Sequence, residues 1–280
     1  MRGGTLYVVA TPLGNLGDLS ARATELLRSV PVVAAEDTRR TRALLAHLEA
    51  HPRLLSYHAN SGAGAARGIL ALLRQGQDVA LVTDAGTPGI SDPGAALVAE
   101  VRSAGHAIVP LAGPSAVSAA LSAAGLPADR YLFLGFLPRK GTERARLLER
   151  VAEAEWTSVL FEAPGRVGTL LAELLEACGS DRRAVVAREL TKLHEEFRAG
   201  TLAELAEAFG SETIARGECT IVVAGAEPRA ERGEPERARA AVLRLLAVGL
   251  SARETARLVS EMFGVARNEA YQMVLELSAP

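Results

Sequence analysis

The segment ALVTDAGTPGISDPG, residues 80–94, joins a short apolar run to a loop with three glycines, two prolines and two carboxylates. Such a run, ending in glycine and proline, is typical of a buried strand that leads into a turn. In open α/β sheets, ligands bind just outside the carboxyl ends of the strands. We therefore expect Asp84, at the strand end, to contact a ligand, and Asp92 to cap the helix that Pro93 begins.

Short apolar runs and helical patterns alternate through the first part of the chain. Strands are predicted at 6–10, 32–35, 54–57, 79–82 and 108–111, with helices at 21–28, 41–48, 64–74 and 94–103. This alternation predicts an α/β fold with a mostly parallel sheet covered by helices.

A second set of strands and helices follows, and then a helical tail. The gap between the strands near 187 and 196 is too short for a crossover helix, which favours a mixed sheet with hairpins. The tail has a capping box at Ser251 and Glu254 and resembles a helix-turn-helix. We predict α/β domains at 1–117 and 118–226, a charged linker at 227–236 and a small C-terminal helical domain at 237–280.

Composition narrows the class of protein. The 280 residues are 49% hydrophobic with a net charge of −2, which fits globular domains and gives no overall basic signal for nucleic acid. Cys178 and Cys219 lie far apart, so a disulfide framework or zinc site is not expected. No apolar run reaches the roughly 18 residues of a membrane span and no secretory leader is evident, so we expect a cytoplasmic protein without a membrane partner.

Two further loops resemble the first in following a strand. They are TPLGNLGD, residues 11–18, and LAGPSA, residues 111–116, where Ser115 begins a helix whose free amides favour an anionic group. Neither G-x-G-x-x-G nor a P-loop motif is present, which argues against dinucleotide and nucleoside triphosphate sites. Each loop alone is equally compatible with a tight turn that binds nothing.

Three charged segments are candidates for substrate binding or catalysis, although each is also compatible with a solvated surface. AEDTRRTR (35–42) carries Arg39 and Arg40, which could meet phosphates. FLPRKGTERAR (136–146) is the most basic stretch and predicts RNA contacts by Arg139, Lys140 and Arg144. RELTKLHEEF (188–197) follows a strand and mixes acidic and basic side chains suited to a base or a substrate clamp.

Taken together, several strings resemble the tetrapyrrole-methylase superfamily, and most specifically its ribosomal RNA small subunit methyltransferase I family. They are LYVVATPLGNLGDLS, AAEDTRRTRALL, ALVTDAGTPGISDPG, PLAGPSA, LSAAGLP, FLGFLPRK, ARELTKLHEEF and GTLAEL, and the tail GLSARETARLVSEMFGVARNEAYQ is similar to that family's C-terminal domain. The resemblance covers nearly the whole chain.

The resemblance implies two α/β domains with S-adenosylmethionine (SAM) in the cleft between them, and a homodimer. The reaction it implies is 2′-O-methylation of a cytidine in the decoding centre of 16S rRNA, without a metal. The substrate would be free rRNA or the 30S subunit. The SAM contacts it implies are Leu13, Asp84, Gly86, Thr87, Pro88, Ser115, Ala116 and Glu162, and Phe161 and the strand near Val222 and Val223 would complete the pocket. FEAPGR, residues 161–166, departs from the family's YESPHR, so we assign no catalytic role to Phe161, Ala163 or Gly165.

A ribose hydroxyl is weakly acidic, so a general base is expected in the cleft. The candidates are Glu36, Asp37, Glu189 and Lys192. Two alternative functions remain: methylation of a tetrapyrrole precursor, and a non-enzymatic role in RNA binding or assembly through the tail. The basic stretch and the tail argue against the first, and the three strand-end loops argue against the second.

Overall fold

The computed structural model describes residues 3–211, 217–226 and 234–278. The chain divides into two compact units, one ending at Gly225 and the other beginning at Ala226. The first unit contains two five-stranded sheets and the second contains helices. Among the described residues, no helix has the length and apolar character needed to cross a membrane.

The first sheet is entirely parallel, with the order β3-β2-β4-β1-β5. Its strands are β1 (Thr5–Val9), β2 (Val32–Ala35), β3 (Arg53–Ser56), β4 (Val79–Val82) and β5 (Ala107–Leu111). The connecting helices are α1 (Ala21–Ser29), α2 (Thr38–His47), α3 (Ala63–Arg74) and α4 (Ala95–Ser103). Every residue of β2 and β4 is buried, because helices cover both faces of the sheet.

Alternation along β2 shows how the two faces are filled. Val32 packs with Ile69 of α3, whereas Val33 packs with Leu27 of α1 on the opposite face. The predicted parallel α/β fold is confirmed.

The second sheet has the order β6-β7-β10-β8-β9. Its strands are β6 (Tyr131–Phe136), β7 (Thr157–Glu162), β8 (Arg183–Arg188), β9 (Glu196–Thr201) and β10 (Cys219–Val223). Its helices are α5 (Ala116–Ala124), α6 (Thr142–Glu153), α7 (Val167–Cys178) and α8 (Leu202–Ser211). β6 and β7 are parallel and all other pairs are antiparallel, so the predicted mixed sheet is confirmed.

Helix α5 lies between the two sheets in sequence but packs on the second. Its Val117 and Leu121 share a core with Val159 and Val222. The division of the first unit into domains at 1–117 and 118–226 stays a prediction.

The second unit consists of α9 (Glu234–Ala247), α10 (Ala252–Phe263) and α11 (Arg267–Ser278). Val242, Val259 and Val274 form its own small core. The predicted capping box at Ser251 and Glu254 is present at the start of α10. Residues 227–233 of the predicted linker lie outside the described residues, and its last three residues, 234–236, belong to α9.

Candidate functional site

A cavity of about 370 Å³ lies within the first unit, where loops of both sheets meet. Loops after four parallel strands reach it because the carboxyl ends of parallel strands share one edge of the sheet. The lining residues that follow strands of the first sheet are Leu13, Glu36, Arg40, Asp84, Ala85, Gly86, Thr87, Ile90, Ser91, Asp92, Ser115 and Ala116. The lining residues that lie in or next to the second sheet are Phe136, Phe161, Glu162, Ala163, Pro164, Gly217, Glu218, Cys219 and Thr220.

Hydrogen bonds connect the loops that follow β1, β4 and β5 into one continuous surface of the cavity. Thr11 and Gly86 exchange backbone hydrogen bonds of 2.9 Å in each direction. The Thr87 hydroxyl donates to the carbonyl of Pro114 at 3.0 Å. The loops that looked ambiguous one by one therefore act as a single surface. Among the predicted SAM contacts on these loops and at the start of α5, all line the cavity except Pro88, which is buried.

Asp84 couples the loops after β2 and β4. Its Oδ1 accepts the backbone N–H of Asp37 at 3.1 Å, and its Oδ2 lies 3.2 Å from the guanidinium of Arg40. In return, Glu36 Oε2 accepts the backbone N–H of Asp84 at 3.3 Å. Glu36, Arg40 and Asp84 therefore form one network on the cavity wall.

Asp92 corrects a prediction. Helix α4 begins at Ala95 and is capped by Gly94 at φ 144° with no side-chain hydrogen bond, so Asp92 is not the helix cap. It lines the cavity instead. Burial, reinforced by the nearby Glu36, raises the pKa of Asp92 to about 6, against a lowering hydrogen bond from Thr83.

Glu162, the last residue of β7, is 2% exposed and lies on the opposite wall. Its Oε1 accepts the backbone N–H of Ala163 at 2.7 Å and pairs with Arg166 at 2.5 Å. Within the described residues its Oε2 has no hydrogen-bond partner. A buried carboxylate oxygen without a partner is costly, which points to a ligand that donates a hydrogen bond here.

The four predicted general bases do not share one environment. Glu36 lines the cavity, but Asp37, Glu189 and Lys192 do not. Asp37 is the N-cap of α2 and bonds the backbone and side chain of Arg39, whose hydrogen bonds hold the pKa of Asp37 well below its usual range. As a cap that stays ionised and paired, Asp37 is a poor proton acceptor.

Glu189 and Lys192 form an ion pair of 2.8 Å, and Lys192 also reaches Glu218 at 3.3 Å on the cavity rim. Burial lowers the pKa of Lys192, but the hydrogen bond that Lys192 donates to Glu189 and the charge of Glu218 outweigh this effect and raise that pKa overall. A lysine held charged in this way cannot accept a proton. The ion pairs of Lys192 with Glu189 and Glu218 instead stabilise the rim of the cavity.

The predicted RNA-binding residues also differ in their exposure and in their partners. Arg39 is 85% exposed but bound to Asp37, and Arg40 lies at the cavity with Asp84. Arg139 and Lys140 are exposed, as an RNA contact requires. Arg144 is 8% exposed and bonds Glu173 and the carbonyl of Pro138, so its assignment to RNA is corrected to a structural role.

The sequence also misplaced or missed part of the second wall. Val222 and Val223 are fully buried, and the first residues of the same strand, Cys219 and Thr220, line the cavity in their place. Ile90 and Phe136 line it as well, although both are strongly exposed for large apolar residues. Their only signal in the sequence was a position at the end of a strand or in the glycine-rich loop.

Two family profiles match the chain. The family described as Tetrapyrrole (Corrin/Porphyrin) Methylases matches residues 5–206, and the family described as RsmI C-terminal HTH domain matches residues 234–278.

Curated relatives are similar over almost the entire length. Ribosomal RNA small subunit methyltransferase I of Synechocystis sp. is 44% identical, with 99% of each chain covered. The proteins of the same name from Pseudomonas aeruginosa and Escherichia coli O157:H7 are 44% and 40% identical, covering 99% and 98% of this chain and 98% and 95% of theirs.

Solved structures share the fold. Cobalt precorrin-4 methyltransferase has a TM-score of 0.60 at 21% identity, covering 79% of this chain and 94% of that chain. Uroporphyrin-III C-methyl transferase from Thermus thermophilus, complexed with S-adenyl homocysteine, has a TM-score of 0.56 at 21% identity, covering 78% and 97%.

Proposed function

The chain belongs to the tetrapyrrole methylase family and, within it, to the ribosomal RNA small subunit methyltransferase I proteins, and from this premise we propose that it methylates small-subunit ribosomal RNA with SAM as methyl donor. The finer proposal is that the acceptor is the 2′-oxygen of a cytidine in the decoding centre of 16S rRNA. We also propose a cytoplasmic location and a homodimer, and light scattering would test the dimer.

The cavity suits SAM in volume and in charge. Its volume of about 370 Å³ lies within the usual range for small-molecule sites. Five carboxylates and one guanidinium line it, so a cationic ligand is favoured over an anionic one. The single observation in the cavity that carries the binding of SAM is the buried Oε2 of Glu162, which has no hydrogen-bond partner among the described residues and can accept from a donor on a ligand.

Each part of SAM has suitable residues in the lining. Glu162 and Asp84 would accept hydrogen bonds from its amino and hydroxyl groups, and Leu13 and Phe161, which also line the cavity, would provide apolar surface for the adenine. The N-terminus of α5, at Ser115 and Ala116, favours the carboxylate because backbone N–H groups are free there. When bound, SAM supplies a methyl group on a positively charged sulfur.

Asp92 is the residue we propose to take the proton of the acceptor hydroxyl. Asp84, Glu162 and Glu218 are each paired with a cation, namely Arg40, Arg166 and Lys192. Asp92 has no such partner in the described part of the chain. The remaining carboxylate of the lining, Glu36, accepts the backbone N–H of Asp84. A carboxylate that no cation stabilises, at the cavity wall, is a better proton acceptor at neutral pH than one paired with a cation.

The proposal is tested with small subunits that lack the modification. The protein and methyl-labelled SAM are incubated with these 30S subunits, and the digested RNA is analysed by mass spectrometry. We expect 2′-O-methylcytidine, and expect Glu162→Gln to weaken SAM binding in calorimetry. Label in a tetrapyrrole precursor but not in RNA would support the tetrapyrrole alternative, and no binding of SAM would support a non-enzymatic role.

A further inference from the structure

Phe136 and Ile90 are unusual among the residues that line the cavity. Phe136 ends β6 and is 56% exposed, and Ile90 belongs to the loop after β4 and is 44% exposed. One belongs to the second sheet and the other to a loop that follows a strand of the first sheet. Their chain neighbours touch, since the Ser91 hydroxyl occupies the space where a Cβ on Gly135 would lie. The two apolar side chains therefore flank one seam at the cavity.

The ring of Phe136 is held in place although much of it is exposed. It packs edge-on against Phe161 with centroids 5.5 Å apart, and Phe161 packs in the same way against Phe133 at 5.1 Å. An aromatic ring that neighbours fix and solvent reaches loses little freedom when a flat group stacks on it.

Basic side chains follow the ring directly. Arg139 and Lys140 are exposed and lie between the end of β6 and the start of α6 at Thr142. An exposed aromatic residue followed within four positions by exposed cations fits a site for single-stranded nucleic acid, where bases stack and phosphates pair with the cations.

The size of the cavity restricts how an acceptor can approach. A space of about 370 Å³ is of the order that one small ligand fills, so the acceptor must approach at its exposed edge. An unpaired nucleotide suits such an edge better than one inside a duplex, because its base can turn away from its neighbours and stack on an aromatic side chain.

We propose that Phe136 and Ile90 form a stacking platform for the base of an acceptor nucleotide that is unpaired or extruded from its helix, while Arg139 and Lys140 bind the adjacent phosphates. This rests on the proposed function and names how the RNA is held. The platform belongs to the acceptor and does not contribute to binding of the methyl donor.

The test compares Phe136→Ala and Phe136→Trp with Tyr131→Ala. Tyr131 begins the same strand and is 45% exposed, but does not line the cavity, so it is a matched control. With unmodified 30S subunits as substrate, we expect Phe136→Ala to lower kcat/KM about 10- to 100-fold, the range that loss of one base stack predicts. Phe136→Trp should stay within about threefold because stacking is retained, and Tyr131→Ala should behave as wild type.

A second measurement separates stacking from a structural role. Trp156 is the only tryptophan of the chain, so Phe136→Trp in a Trp156→Phe background reports on the platform alone. We expect single-stranded RNA containing cytidine to quench its fluorescence, and the same strand in a duplex to do so much less at equal salt.

The outcomes distinguish this inference from the proposed function. If wild type methylates 30S subunits and Phe136→Ala does so equally well, the platform is wrong and the function stands. An equal loss in Phe136→Trp, or a matching loss of SAM affinity in Phe136→Ala, would also overturn the platform. If wild type itself does not methylate the subunits but single-stranded RNA quenches the Phe136→Trp variant in the Trp156→Phe background, the acceptor assignment fails while the platform survives.

Discussion

At the scale of single residues, Asp92 combines a place in the cavity wall with a raised pKa. It lines the cavity, and burial followed by the charge of Glu36 raises its pKa to about 6. We expect Asp92→Asn to lower kcat by about 10²- to 10⁴-fold, the usual contribution of a general base, with SAM affinity unchanged in calorimetry. The exposed Asp129→Asn is the matched control and should be fully active.

The pH profile gives the sign of this effect. A proton acceptor must be ionised, so kcat/KM of the wild type should rise with pH up to about 6 and level off above it. A residual Asp92→Asn activity that shows the same rise would assign the titration to another group, with Glu36→Gln as the next variant to measure.

The same raised pKa predicts an effect on stability. The folded state binds the Asp92 proton more tightly than the unfolded state, whose pKa is near 3.8, so ionisation at neutral pH costs folding free energy. Asp92→Asn should therefore raise the free energy of unfolding at pH 8 by about 1 kcal/mol, discounted for partial exposure. The gain should fall as pH drops below about 6 and vanish below the unfolded pKa.

Arg144 and Arg139 lie in one basic stretch and have opposite roles. Arg144 is buried against Glu173, so Arg144→Ala should lower the free energy of unfolding by about 2 kcal/mol, because it leaves a partly buried carboxylate unpaired. Arg139→Ala should leave stability within about 0.5 kcal/mol and weaken RNA binding. Urea denaturation and filter binding measure the two effects, and equal stability of both variants would contradict the assignment.

At the scale of elements, the sequence located the strands of both sheets to within a few residues, because short apolar runs bounded by polar residues have few alternatives. Helix starts were harder to place. The helix predicted from 41 begins at Thr38 because Asp37 caps it. Helix α4 was predicted to be capped by Asp92 before Pro93, but its cap is Gly94. Such starts depend on which backbone turn the packing allows, and local propensity does not contain this information.

The bulge of β6 is the element that positions the cavity loop. β6 shifts register between Phe133 and Gly135, and Gly135 has φ 61° with the Ser91 hydroxyl where a Cβ would lie. We expect Gly135→Ala to cost about 1–2 kcal/mol from the left-handed backbone alone and to displace the loop that carries Asp92.

A double variant separates these two effects. Adding Ser91→Ala removes the clash but not the backbone strain, so it should restore methylation while thermal unfolding remains lowered. If the double variant is as inactive as Gly135→Ala, the contact between loop and bulge does not position the site.

At the scale of the whole molecule, the cavity and the helical tail are separable. Every residue that lines the cavity precedes Ala226, and the tail has its own core. Deletion of residues 227–280 should leave SAM affinity within about twofold while methylation of 30S subunits falls. Circular dichroism checks that the shortened chain is folded, and a folded chain that no longer binds SAM would contradict this separation.

The sequence by itself determined the α/β class, the mixed second sheet, the helical tail, the family and most of the loops that meet at the cavity. These follow from apolar periodicity and from motifs in which glycine, proline and acidic residues sit at strand ends. Only the tertiary structure decided that Asp92 and Phe136 lie at the cavity while Arg144 is buried. The reason is physical: burial, pairing and exposure depend on which distant segments pack together, and that information is not local to any stretch of sequence.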